Sequence, residues 1–178
     1  MSQTTIRGSR ISTMLFADTN FSWLWFLIRL YLGYEWLIAG WGKFQNPAWV
    51  GDQTGMAVKG FLTGALGKMS GAHPDVSSWY GAFIQNFALP NAEIFSYVVT
   101  FGEMAVGLAL ILGFLTGVSA FFGVLMNYNF MLAGSVSVNP IMALLGVLLI
   151  LAWRTAGWYG LDRYILPKIF RKNPIGFR

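Results

Sequence analysis

Five polar side chains stand inside stretches that are otherwise apolar. Arg29 and Glu35 lie within FSWLWFLIRLYLGYEWLIAGWGKF (21–44), with Lys43 near its end. Glu103 lies within NAEIFSYVVTFGEMAVGLALILG (91–113), and Asn127 within TGVSAFFGVLMNYNFMLAG (116–134). A charge deep in hydrocarbon costs about 2.5 to 3.5 kcal/mol on insertion scales, so each must face a partner or a cavity. Arg29, Trp36 and Lys43 recur every seven residues and share one helical stripe. Glu35 is about 120° round from Arg29 and borders the same interior.

One arginine neutralises only one of the two glutamates. Glu35 shares its helix with Arg29, so Arg29 is expected to pair with it. Glu103, nearer mid-bilayer, is then the carboxyl that holds a proton. A carboxyl in that position, open to the outer side, suits proton uptake and release. Glu103, Glu35 and Arg29 are therefore the candidate catalytic groups. A plain ion pair that keeps the helices in register would use the same residues.

Helices of membrane-spanning length must position these groups. Residues 22–43 reach about 33 Å, a full hydrocarbon core with some tilt. The 178 residues are 56% hydrophobic and 11% charged, against about 25% charged in a soluble domain, so the bulk of the chain belongs in lipid. The net charge of +5 sits beside apolar runs and reads as topology determinant and headgroup anchor; no nucleic-acid partner is expected. With no cysteine, a disulfide frame, an iron–sulfur cluster and covalently attached haem are excluded. His73 is the only histidine, which excludes a bis-histidine haem within one chain, and no metal centre is expected. Redox chemistry here must use bound organic cofactors, the substrates themselves or a partner subunit.

The expected fold is an all-α membrane protein, a bundle of four transmembrane helices at about 22–43, 91–113, 116–134 and 139–157. Residues 1–20 form a polar N-terminal tail. The apolar run after it is too long for a secretory signal and lacks a small-residue cleavage site, so it is read as a retained first span. Pro90, Asn91 and Glu93 open the second span, in which Ser96, Thr100, Glu103 and Gly107 form a small-polar face. Asn139 and Pro140 open the fourth. The long loop 45–90 holds two stretches, 55–69 and 76–87, that read as amphipathic helices at the interface or as a solvated loop. Arg7 and Arg10 precede the first span, and Arg154, Arg163, Lys168, Arg171, Lys172 and Arg178 follow the fourth, up to a basic C-terminal tail at 158–178. Both termini are accordingly expected in the cytoplasm and loop 45–90 outside.

RLYLGYEWLIAGWGKF, FGEMAVGLALILGFLTG and NYNFMLAG followed by Asn139-Pro140 resemble the DoxX/DoxD family of small four-span prokaryotic membrane proteins, over about residues 22–160. The resemblance rests mainly on the Arg29–Glu35–Lys43 run and on Gly102-Glu103 followed by Gly107. It implies a prokaryotic plasma membrane. Because the family includes the membrane subunit of thiosulfate:quinone oxidoreductase, it also implies a quinone-reactive subunit that oxidises thiosulfate to tetrathionate.

On that reading Trp36, Met126 and Phe130 line a quinone slot and Asn127 bonds a quinone oxygen, although such a stripe also serves plain helix packing. Glu35 or Glu103 protonates the reduced quinone, and Lys43 draws the thiosulfate anion. A sulfur adduct on the quinone, displaced by a second thiosulfate, gives tetrathionate and quinol without metal or flavin. The competing reading is a non-catalytic membrane scaffold that docks a redox or stress partner through its basic tail. A transporter fits less well, because no inverted repeat or broken helix is visible. A second subunit or a second copy would add helices in any of these cases.

Overall fold

The computed structural model describes residues 9–170, and among these the chain is helical with no strand. The helices are α1 (Arg10–Ala17), α2 (Ser22–Phe44), α3 (Met56–Gly67), α4 (Ser78–Phe83), α5 (Ala92–Leu112), α6 (Thr116–Leu132), α7 (Asn139–Leu151) and α8 (Asp162–Ile169). Residues 1–8 and 171–178, with Arg7 and the last three basic residues of the tail, lie outside the described part.

The α2–α5 pair is the spine of the fold. The Ser96–Thr100–Glu103–Gly107 stripe of α5 is buried and meets the Gly33 and Gly40 face of α2 in antiparallel register. A Cβ on Gly107 would sit 2.5 Å from the Leu37 amide nitrogen and 2.8 Å from the Gly33 carbonyl oxygen. Only glycine lets the two backbones come so close. Helices α6 and α7 pack on this pair, and Trp25, Leu32, Trp36, Val106, Leu110 and Leu149 form the shared core.

The two ends of the bundle are closed differently. At one end α1 folds back on α2: the Trp25 indole donates to the Leu15 carbonyl at 2.8 Å, and Phe16 stacks on Trp25. The 152–162 segment is bound at the same end, where Leu161 N–H donates to the Leu112 carbonyl at 3.1 Å and Asp162 N–H to the Gly113 carbonyl at 2.8 Å. At the other end α3, α4 and a π-helical turn at Ile84–Ala88 form a cap with its own core of Val58, Leu62, Tyr80 and Ile84. The two stretches read as amphipathic helices are thus helical and packed, rather than a solvated loop.

The fourth expected span is cut short. Its helix ends at Leu151, and residues 152–160 continue as turns. Two glycines explain the change. Gly157 lies against the Asp162 carboxylate and Gly160 against Arg29 and Gly113, contacts that a continued helix with side chains there would break, and glycine itself disfavours helix. Among the described residues only Ala92–Leu112 is long and apolar enough to cross a membrane by length and composition. Helix α2 is longer but carries Arg29, Glu35 and Lys43, while α6 and α7 have 17 and 13 residues. All four nevertheless turn large apolar side chains outward, among them Leu27 and Ile38, Ile94 and Leu108, Phe121 and Phe122, and Ile141 and Leu144.

Candidate functional site

Among the described residues an ion pair joins Lys43 to Glu103. Lys43 Nζ donates to Glu103 Oε2 at 2.6 Å, with the lysine side chain 20% exposed and the glutamate 1%. Helix geometry makes this the pairing. In the observed register Gly40 lies against the Thr100 carbonyl and Gly33 against that of Gly107, so Glu103 stands level with the middle of α2. Side chains lean toward the N-terminus of their own helix, which in an antiparallel pair aims Lys43 and Glu103 at one another and Arg29 away from both. Lys43 also lies over the Trp49 ring at 5.2 Å and, in the last turn of α2, meets the negative end of the helix dipole.

The expectation that Arg29 pairs with a glutamate is corrected. Arg29 is fully buried at the opposite end, donates to the Tyr159 carbonyl at 2.9 Å and lies over Phe26. Its Nε and Nη1 have no hydrogen-bond partner among the described residues, and the carboxylate whose charge acts on it is that of Asp162. Asp162 in turn caps α6, accepting from Leu115 N–H at 2.6 Å and Thr116 N–H at 2.8 Å. This knot ties α2, the α5–α6 turn and the start of α8 together. It lies about 21 Å of helix away from Lys43.

Beside the Lys43–Glu103 pair opens a cavity of about 310 Å³, lined by Glu35, Trp36, Lys43, Trp49, Phe61, Glu103, Phe130, Ser135, Ser137, Asn139 and Met142, with Ala39 and Val138. Glu35 is half-buried and has no ion-pair partner among the described residues. Ser137 adopts a left-handed backbone, φ +40°, uncommon for a residue other than glycine. The volume is at the lower limit for small-molecule pockets, and two aromatic walls around a few convergent polar groups is their usual make-up.

Six of the expected site residues therefore fall into two groups. Glu35, Trp36, Lys43, Glu103 and Phe130 share the cavity, and Arg29 does not. Met126 lines neighbouring apolar space. Asn127 is buried, its carboxamide oxygen unpartnered among the described residues, and lines none of the cavities described. Sequence reasoning missed Trp49, Phe61 and the Ser135–Asn139 rim, brought in by the cap and the α6–α7 turn. It also missed Asp162, although a lone acid within a basic segment was a visible signal.

The family model of DoxX matches residues 24–136, which covers Glu35, Lys43, Glu103 and Phe130 and stops short of Asn139 and Met142. Among curated proteins and among solved structures, none matches the chain. With more than half its length matched, including the ion pair and most of the cavity around it, the chain belongs to the DoxX family of membrane-associated proteins.

Proposed function

We propose that the chain is a four-span membrane bundle of the plasma membrane that reduces a quinone in the cavity beside Lys43 and Glu103. The observation that carries this reading is that cavity: a part-buried ion pair and a second carboxyl line it together with Trp36, Trp49, Phe61 and Phe130. A pair that only held helices in register would need no such space. The outward apolar faces of α2, α5, α6 and α7 support four spans, since contiguous apolar surface on this scale seeks lipid or a partner. Basic residues gather at the end where α1 and the 152–162 segment meet. By the positive-inside rule that end is cytoplasmic, and the α3–α4 cap and the cavity lie in the outer half.

Reduction of a quinone to a quinol takes two electrons and two protons. Lys43 bonds the ring oxygen on which negative charge develops and stabilises it. Glu103 transfers the proton shared with Lys43, and Glu35 relays replacements from the outer solution past Ser135 and Ser137. Trp36 and Phe130 hold the ring between them. The resemblance makes thiosulfate the first donor to try. One thiosulfate sulfur adds to the quinone; a second attacks that sulfur, forming the sulfur–sulfur bond of tetrathionate, and the ring leaves with the electron pair and takes up two protons.

Charge shapes how such a donor would enter. Lys43 is the one cation lining the cavity, against Glu35 and Glu103, so the site is net negative when all three are ionised. A dianion then enters only together with a proton, and its KM should rise with pH. A KM that is flat or falls with pH would exclude this route for thiosulfate. The reading as a whole is tested by extracting the lipid-soluble material from purified protein. A stoichiometric quinone supports it; repeated absence, with no quinone reduction in liposomes, would leave the non-catalytic scaffold.

A further inference from the structure

The cavity at Glu103 shares its aromatic wall with a neighbouring space. Trp49, Phe61 and Phe130 also line a second chamber of about 250 Å³, otherwise bounded by apolar side chains, the Tyr80 ring and Asn129. Phe61 and Phe130 meet edge to face, ring centroids 6.1 Å apart, and form the partition. The second chamber shares Val98, Leu125 and Met126 with a third space of about 700 Å³, a groove between α5 and α6. Its lining is apolar apart from Ser119. From Val98 to Leu112 it follows α5 for about 21 Å. Its floor is Gly102, Ala105 and Ala109, and its rims are exposed Val118, Phe122 and Leu125.

Three adjoining spaces therefore grade from charged at Glu103 to apolar along α5. We propose that the groove between α5 and α6 holds the long apolar tail of the quinone, and that the ring enters sideways from the bilayer between Phe61 and Phe130. The inference rests on the quinone reading of the Glu103 cavity. The occupant follows from continuity and polarity. A molecule spanning the three spaces must have a compact polar end and a long hydrocarbon chain, as a long-tailed quinone has, and must arrive from lipid, because the groove opens along the exposed apolar rims of α5 and α6. A phospholipid acyl chain would fill the groove alone and leave the polar cavity to an unrelated molecule.

The test compares a benzoquinone with one isoprene unit and the same ring with a long isoprenoid tail, bound to detergent-purified full-length protein and followed by tryptophan quenching. Ala105, exposed on the groove floor, is changed to Phe to obstruct the groove without touching the core. The long-tailed quinone should bind more tightly to the parent. A105F should weaken it about tenfold more than the short-tailed one. A photoreactive group at the end of the long tail should label peptides from 98–112 or 118–126 in the parent and lose that label in A105F. Equal affinity for both quinones, or an equal effect of A105F on both, overturns the tail site while leaving the Glu103 cavity standing. Labelling displaced by excess phospholipid would assign the groove to lipid and overturn it as well. If neither quinone binds the parent, the quinone reading fails first and this inference with it.

Discussion

Lys43 and Glu103 form a pair that is dry on one side and damp on the other, and this sets what each substitution does. Lys43→Met leaves a carboxylate buried without its cation and should cost about 3 kcal/mol in unfolding free energy, near the lower bound for breaking a buried pair. Adding Glu103→Gln should recover most of that loss in the double variant. Denaturant unfolding of the four proteins in one detergent checks both statements; equal stability of Lys43→Met and the parent would mean that the pair is open to water. Glu35 offers the contrast. It holds no partner among the described residues, so Glu35→Gln should stay within about 0.5 kcal/mol of the parent and slow turnover through proton supply. Arg29 belongs to stability. Arg29→Met removes one charge-assisted hydrogen bond and should cost about 1.5 to 3 kcal/mol with turnover per folded molecule unchanged. A fall in turnover without a fall in stability would return Arg29 to the site.

At the scale of elements the α2–α5 contact governs the site, because the register that buries Gly107 against Leu37 also brings Glu103 to Lys43. Gly107→Ala should force the helices apart, cost about 1 to 3 kcal/mol and weaken quinone binding together with stability. A variant stable and active as the parent would show that the spine has slack. The same contact explains what could be read in advance and what could not. The helices at Ser22–Phe44, Ala92–Leu112 and Thr116–Leu132 follow from apolar runs bounded by Asp18, Pro90 and Gly113, signals local to each run. The partner of Glu103 is fixed by how two distant helices slide past each other. The glycines that set the register are visible in the sequence, but their pairing is not, and it is that pairing that gives Glu103 to Lys43 and keeps Arg29 from both glutamates. The early end of α7 has a related origin, since Gly157 and Gly160 answer to Asp162 and to Arg29, the latter remote in sequence. The cavity's far wall depends on where the α3–α4 cap folds, which no local pattern specifies.

For the whole molecule, the two ends of the bundle divide the work. One is tied shut by α1, Arg29, Asp162 and α8; the other carries the pair, the cavity and the helical cap. The absence of cysteine makes the orientation simple to test with single introduced cysteines. Ser70→Cys, exposed between α3 and α4, should react with an impermeant reagent added outside intact cells, and labelling only from the cytoplasmic side would invert the topology. The most direct test of the central claim is quinone reduction by Glu103→Gln in liposomes, normalised to folded protein. Glutamine keeps the shape and a hydrogen bond for Lys43 while removing the exchangeable acid. The variant should retain quinone binding and lose turnover by about a hundredfold or more, the weight of a positioned general acid. Full turnover in Glu103→Gln would contradict the proton role of the pair and with it the assignment of this cavity as the quinone site.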